Sequence, residues 1–237
     1  MKNYNFFSFW KSIFLFLKHR FKITKIVWEN DSVFSLYISG SNLDKLHIKA
    51  GQFMIFRFLV FGLWHRLYPL SVSLLPNQGE FRITIKQVGV FTKKMSCLPV
   101  GTRVLVFGPL GQIKSLSLIS HKILLIAGGV AIAPARTLYQ KFLQAGKDVI
   151  LIYTSRQEGD FIFKSELDQL AFAYHSQIRY IPSAEVDHIN IDKIKSLTPD
   201  FLEREIYLYG PLSMVESISL NLQQAGLPNQ KINIEKF

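Results

Sequence analysis

The sequence predicts two domains of different class. Residues 21–113 read as an all-β domain, and residues 114–237 as an α/β domain on a parallel sheet, behind a basic segment of residues 1–20. Three observations carry this reading. Short apolar runs punctuated by Gly or Pro recur as far as Ile113, and strand-like and helix-like runs alternate after it. The run Ile123-Leu124-Leu125-Ile126-Ala127 then enters Gly128-Gly129-Val130-Ala131-Ile132-Ala133-Pro134, the pattern of a buried strand turning through glycine into a helix. Such a junction presents backbone N–H groups and a positive dipole end, which suits a dinucleotide pyrophosphate.

Composition narrows the classes. A chain of 237 residues that is 49% hydrophobic and 19% charged has apolar surface for real cores, which excludes global disorder. The single cysteine, Cys97, excludes a disulfide framework and a cysteine-built metal or iron–sulfur site. The His residues are scattered with no pair at ligand spacing on one helix face, so no metal is predicted. The net charge of +11 is uneven: Lys2, Lys11, Lys18, Arg20, Lys22 and Lys25 all precede the first acid, Glu29. Phe6, Phe9, Trp10, Ile13, Phe14 and Leu17 fall at helical spacing in the same stretch. The stretch is shorter than the roughly 20 apolar residues that span a bilayer. It has no small-residue cleavage site. It reads as an interfacial amphipathic helix on an anionic membrane surface, or as a helix packed on this protein or a partner. No nucleic-acid recognition motif is present, so no nucleic-acid partner is expected.

In the first domain, strands are predicted over 22–28, 32–38, 52–58, 70–74, 81–87 and 103–107, with Gly40, Gly51, Pro76, Gly79, Gly89, Gly101 and Gly108 between them. This spacing suits a small barrel or a sandwich. In the second, strands over 122–127, 148–153, 177–181, 205–209 and 231–234 alternate with helices over 133–145, 164–172, 191–197 and 212–225. Alternation of this kind makes a parallel sheet with helices on both faces.

The order of motifs resembles the ferredoxin–NADP reductase superfamily, and within it the flavin and nicotinamide portion of ferric-reductase-like oxidoreductases. The resemblance runs from about Arg20 to Phe237 and implies an antiparallel Greek-key β-barrel that binds flavin, followed by the nucleotide-binding α/β domain. Ala50-Gly51-Gln52-Phe53 and Arg57-Phe58-Leu59 lead to Tyr68-Pro69-Leu70-Ser71-Val72-Ser73. The family strand carries a basic residue, a spacer, an aromatic that covers the isoalloxazine and a serine that hydrogen-bonds the flavin nitrogen accepting hydride. Ser71 matches that serine, while Tyr68 stands for the basic residue and Leu70 for the aromatic. An alternative register, Arg66-Leu67-Tyr68, restores both but puts Pro69 in the serine position, so the first is preferred.

Ile85-Lys86-Gln87-Val88-Gly89-Val90-Phe91-Thr92 matches the segment that holds the flavin pyrophosphate, which makes Ile85, Lys86, Gly89, Phe91 and Thr92 candidate binding residues. Gly128, Gly129, Val130, Ala131 and Pro134 match the nicotinamide-nucleotide turn, with Ala131 and Ala133 where the family has glycine and threonine. Ser155-Arg156 matches the pair that grips the 2′-phosphate of NADPH, and a guanidinium fork beside a hydroxyl suits that phosphate. Tyr209-Gly210-Pro211-Leu212-Ser213-Met214 matches the motif beside the reacting nicotinamide carbon, with Tyr209 in place of cysteine. Glu235-Lys236-Phe237 matches the terminal acid and aromatic near the flavin.

The resemblance therefore implies FAD and NADPH, with NADH as the alternative donor. Ser71, Tyr209 and Phe237 would lie at the reacting rings. Electrons would leave singly for an external acceptor: ferric iron, a haem protein in or at the membrane, or an iron–sulfur partner. The expected location is the cytoplasm or the cytoplasmic face of a membrane. The competing expectation is a degenerate interaction module of a membrane complex, because Leu70, Ala131 and Tyr209 all depart from the family at positions touching the rings.

Overall fold

The computed structural model describes residues 21–41, 43–60, 62–77, 79–111, 120–182 and 189–236. The basic amphipathic segment of residues 1–20 and the terminal Phe237 lie outside the described residues. Backbone proximity groups the chain into two units, Met1–Gln112 and Ile113–Phe237.

The first unit runs β1 (Lys22–Asn30), β2 (Val33–Ser39), β3 (Phe53–Val60), β4 (Leu63–Trp64), β5 (Tyr68–Asn77), β6 (Glu80–Lys86), α1 (Val90–Met95) and β7 (Val104–Leu110). The sheet order is β1-β2-β6-β5-β3-β4, with β7 also on β3, and every pair is antiparallel. Strand β2 pairs with β6, skipping three strands in sequence; that is the Greek-key step. The sheet curls until β7 approaches β1. They meet in the single bridge Lys22–Arg103 and in hydrogen bonds from Ile23 N–H to Thr102 O and from Val104 N–H to Phe21 O, each 3.0 Å. The barrel is thus a curled sheet closed by a short bridge.

Alternation drives the curl. In β3, Met54, Phe56, Phe58 and Val60 point into the core, where they meet Phe34, Leu36, Phe81 and Ile83. On the opposite face the buried polar groups are paired. Thr84 Oγ1 lies 2.8 Å from both Ser35 Oγ and Ser73 Oγ, and Arg82 Nε donates to Ser73 Oγ at 3.2 Å. This is what burial of hydroxyls requires.

Strand β5 is longer than the expected 70–74 and contains both Pro69 and Pro76. Proline ends a strand only where its missing N–H was needed in the ladder. Pro69 sits opposite Ile55 on β3, and the β5–β6 pairing slips between Val72 and Leu74 and again before Asn77. The second slip falls at Pro76 and absorbs its missing donor.

The second unit runs β8 (Lys122–Gly128), α2 (Ile132–Gln144), β9 (Asp148–Ser155), α3 (Lys164–Tyr174), β10 (Gln177–Pro182), α4 (Ile191–Leu197), β11 (Glu205–Gly210), α5 (Leu212–Gln224) and β12 (Ile232–Lys236). The sheet is parallel throughout, in the order β10-β9-β8-β11-β12. Right-handed crossovers place α2 and α3 on one face and α4 and α5 on the other. The contacts of α2 with α3 and of α4 with α5 agree. Leu124, Ile126, Ile150, Ile152, Ile206 and Leu208 face Ile194, Val215, Ile218 and Leu222 on one side. On the other side the rings of Tyr207 and Phe142 of α2 lie 5.1 Å apart. Burial on both faces explains why β8 reads as a continuous apolar run.

The amino ends of the strands are tied by one buried cation. Arg204 is 4% exposed, and each of its five N–H bonds has a partner. Nε and Nη2 donate to the two oxygens of Asp200, at 2.9 and 3.0 Å. Nη2 also donates to Asp148 Oδ2 at 2.9 Å, and Nη1 to the carbonyls of Ile123 and Asp148 at 3.2 Å each. The guanidinium holds the Asp200 carboxyl below the usual carboxylate range, with Lys122 adding to the effect.

Candidate functional site

In the second unit the chain leaves β8 in one direction across the sheet and leaves β11 in the other. The two strands are adjacent, so their carboxyl ends frame the crevice where open parallel sheets take ligands. Glycine ends both strands. A Cβ on Gly128 would lie 2.6 Å from Met214 Sδ and 3.4 Å from Pro211, and one on Gly210 would collide with the Met214 methyl. Met214 therefore rests against both glycines, and a side chain at either would displace it. Gly129 adopts a left-handed φ of +57° at the start of the 3-10 turn that leads into α2. Ala131, Ala133 and Pro134 are buried, so small side chains let this helix start close to the sheet. No side chain caps this start; the Ile132 N–H donates to the carbonyls of Gly129 and Val130 and Pro134 has no N–H, so the helix offers an anion its positive dipole end. The structure thus brings Gly128, Gly129, Val130, Ala131 and Pro134 together with Gly210, Pro211 and Met214.

Ser155 and Arg156 lie at the same carboxyl edge on the neighbouring strand, where Thr154 is in register with Gly128. Ser155 is buried; Arg156 is exposed and makes no hydrogen bond or ion pair with the described residues.

One residue before Gly210, Tyr209 is in register with Ala127 on one side and Glu235 on the other. The same level continues through Tyr153 and Tyr180, so Tyr180, Tyr153, Ala127, Tyr209 and Glu235 form one row across five strands. Tyr209 is 4% exposed and hydrogen-bonds the Glu235 carboxyl. Burial pushes its phenol far above the ordinary range. Burial also pushes the Glu235 carboxyl up to about 7, against the opposing pull of the Tyr209 hydrogen bond. The Tyr180 hydroxyl donates to Asp168 at 2.7 Å, with Lys164 over its ring at 4.4 Å. Burial pushes the Tyr153 phenol well above its ordinary range.

In the first unit the candidate residues meet where β5 begins beside α1. The Tyr68 ring stacks on Phe91, with centroids 4.1 Å apart and planes 4° from parallel. His65 also lies on Phe91, at 4.8 Å. Arg66 is close enough to the Tyr68 hydroxyl to oppose the upward effect of burial on it. Thr92 Oγ1 accepts from the N–H groups of Val88 and Gly89 at 3.0 Å and donates to Gly89 O at 2.9 Å. Two amides and the hydroxyl expected to face a phosphate are thereby satisfied within the turn. Lys86 is exposed, whereas the Ile85 side chain is 3% exposed in the barrel core and leaves only its backbone to a ligand. Leu70 packs against that core, half-buried. Ser71 lies opposite Phe53, and its hydroxyl has no hydrogen-bond partner among the described residues.

Two contacts had no signal in the sequence: the Tyr68–Phe91–His65 ring cluster and the Tyr209–Glu235 hydrogen bond. Both join segments distant in sequence, and only strand register brings them together. Among the described residues no group of three or more His, Cys, Asp or Glu side chains could hold a metal, and no helix is long and apolar enough to cross a membrane.

A curled antiparallel sheet followed by a parallel sheet with a glycine-lined switch point is a two-unit architecture suited to binding a nucleotide. Comparison with known proteins carries this further. Residues 125–219 match the oxidoreductase NAD-binding domain. A flavohemoprotein from Candida norvegensis is 28% identical over 90% of this chain and 56% of its own length. The glycine betaine monooxygenase reductase subunit of Pseudomonas aeruginosa strain UCBPP-PA14 is 26% identical over 93% of this chain and 64% of its own. Among solved structures, flavohemoglobin from Malassezia yamatoensis with bound FAD and heme superposes with a TM-score of 0.77 at 21% identity, covering 95% of this chain and 63% of that one. A ferredoxin NADP+ reductase from Neisseria gonorrhoeae with bound FAD and NADP gives 0.76 at 16% identity, over 92% and 98%. The chain thus carries an oxidoreductase NAD-binding domain and is similar over nearly its whole length to proteins of the ferredoxin–NADP reductase superfamily. It spans 56% and 58% of the length of the first two flavohemoproteins it matches.

Proposed function

We propose that this chain is a reductase module that takes hydride from NADPH and passes electrons through FAD to an external one-electron acceptor. The relatives favour a haem or oxygenase partner, and ferric iron or a membrane haem protein is the narrower reading. The observation that carries the proposal is the pair Gly128 and Gly210 at adjacent strand ends beside an uncapped helix start. These groups suit a nucleotide pyrophosphate: the positive end of a helix stands at the switch point, and Gly129, with a left-handed φ of +57° and nothing within 4 Å of its Cβ position, leaves the turn open to it. Arg156, which has no hydrogen bond or ion pair among the described residues, would hold the 2′-phosphate beside Ser155. In the first unit the Ser71 hydroxyl, which has no partner among the described residues, half-buried Leu70, and Lys86 and Arg66 are chemically suited to a flavin ring and its phosphates. When bound, the flavin supplies a hydride acceptor that releases electrons singly. The side chains have the simpler task of binding and orienting, because direct hydride transfer needs contact at roughly 3–3.5 Å and no proton shuttle.

An anaerobic titration tests this. The purified protein with FAD is expected to be yellow and to bleach on adding NADPH. Arg156→Ala is expected to lower the preference for NADPH over NADH by about 10- to 100-fold, the worth of a charged hydrogen bond. A specific observation favours the second reading, a flavin-binding or interaction module without hydride transfer. The Tyr68–Phe91 stack and the self-capped Thr92 stand where the family has a cation and open amides for the flavin phosphates. Protein that stays yellow with NADPH, or that takes up no flavin at all, would select that reading.

A further inference from the structure

We propose that one surface of the first unit docks on an anionic lipid membrane, with aliphatic tips entering the headgroup layer and lysines resting on the headgroups. The surface lies where β4 and the start of β5 meet the turn from β6 into α1. The stack of Tyr68 on Phe91 and the contact of His65 with Phe91 hold these segments side by side. Those three rings are half-buried, whereas aliphatic side chains next to them are exposed. Leu63, Val88 and Val90 are 72%, 81% and 74% exposed, and Leu67 is 49% exposed. A single exposed apolar residue is ordinary, but four within a few residues of one ring cluster make a patch.

The charge around these tips has one sign. Val90, Lys93 and Lys94 stand at i, i+3 and i+4 and share the exposed face of α1, while Met95 turns into the core. Arg66 and Lys86 are exposed at the margin. Among the described residues Lys86, Lys93 and Lys94 have no ion-pair partner. From Lys45 to Lys147 the only acid in the sequence is Glu80. It begins β6 and Lys86 ends it, so the two are roughly 20 Å apart along the strand. Asp31 borders the surface: it is exposed beside Ser32, whose carbonyl accepts the Gln87 N–H at 2.8 Å. The composition favours lipid over an acidic protein. Protein interfaces bury aromatics and arginine in close-packed cores and are poor in lysine. Here the rings are withdrawn, and the outermost groups are aliphatic tips on turns with lysines beside them. Such tips suit a fluid headgroup layer, where each cation adds attraction to anionic lipid. The proposal is independent of both cofactor readings, because Val88, Val90, Lys93 and Lys94 belong to neither site.

Co-sedimentation of the full chain tests this, with vesicles of phosphatidylcholine alone and with about one-third phosphatidylserine. Saturating FAD supplies any phosphate that Lys86 and Arg66 hold, so lipid is read through the other residues. The protein is expected to bind the anionic vesicles about ten-fold or more tightly than the neutral ones, and to leave them at about 1 M salt. Lys93→Gln with Lys94→Gln is expected to weaken anionic-vesicle binding about twenty-fold, since each cation near a charged bilayer contributes about a factor of five. Val88→Ser with Val90→Ser is expected to weaken it about ten-fold and to keep the salt dependence. All four side chains are exposed, so the unfolding temperature and flavin uptake of both variants are expected to match the parent's. Absence of binding, equal binding to the two kinds of vesicle, or undiminished binding in either variant overturns the proposal. So does a parent that ignores vesicles yet binds soluble polyglutamate through Lys93 and Lys94, which would assign the surface to an acidic protein.

Discussion

Replacing Arg204 with leucine is expected to lower the unfolding free energy of the α/β unit by about 3–5 kcal/mol, the cost of removing one partner from a buried charged network. The guanidinium is nearly inaccessible, and its donors serve two carboxylates and two backbone carbonyls at the amino ends of the strands. Leucine leaves the carbonyls of Ile123 and Asp148 without this donor. Asp148 and Asp200 keep 42% and 30% of their side chains exposed, so water recovers part of the loss and sets the lower end of the range. Lysine retains the charge but has three donors on one atom and cannot span both carboxylates. It is expected to fall between the parent and leucine. Urea unfolding checks this, with a lower midpoint and an unchanged slope. A change within about 0.5 kcal/mol, the range of ordinary surface substitutions, would show that the network is not a stabilising clasp.

The second large effect concerns pH. The Glu235 carboxyl is pushed up to about 7 in the folded chain, from an ordinary value of 4.5. Between those values the folded state binds more protons than the unfolded state, so stability falls as pH rises. The stabilising contribution of the neutral acid is fully present below about pH 4.5 and is lost as pH climbs through about 7. Each pKa unit is worth about 1.4 kcal/mol, which puts the total near 2–3 kcal/mol after discounting for the carboxyl's partial exposure. Asp168 and Asp200 are held below their ordinary values and act in the opposite sense at lower pH. The difference between the parent and Glu235→Gln isolates the one group. The glutamine variant is expected to gain relative stability steadily from about pH 5 to about pH 7.5, as read by thermal unfolding at a series of pH values. Parallel curves for the two proteins would remove Glu235 as a buried titrating group.

The legibility of this protein differs between its halves. The α/β elements were readable almost to the residue. The helix expected over 191–197 is Ile191–Leu197, and that expected over 212–225 is Leu212–Gln224. Such segments carry strong local signals: apolar periodicity, Asn190 as a helix cap, glycine at turns. The β half was less clear. Strand β5 extends through two prolines, and the two-residue β4 carries too little pattern to be seen. The site divides in the same way. Glycines at the two strand ends were legible because a turn or a close approach leaves glycine as its trace. The row from Tyr180 to Glu235 was not, because it is a property of register among five strands.

The sequence by itself determined the succession of β and α/β elements, the strand–glycine–helix junction at Gly128 and the basic residue Arg156 beside Ser155. Each of these is written in a short stretch of neighbouring residues, where backbone preference and hydrophobic period act locally. Only the tertiary structure decided that Met214 would lie on both Gly128 and Gly210, that Tyr68 would stack on Phe91, and that Tyr209 would hold Glu235. Those contacts depend on which strands become neighbours and in what register. That choice is made by the packing of the whole core and leaves no mark in any one stretch of chain.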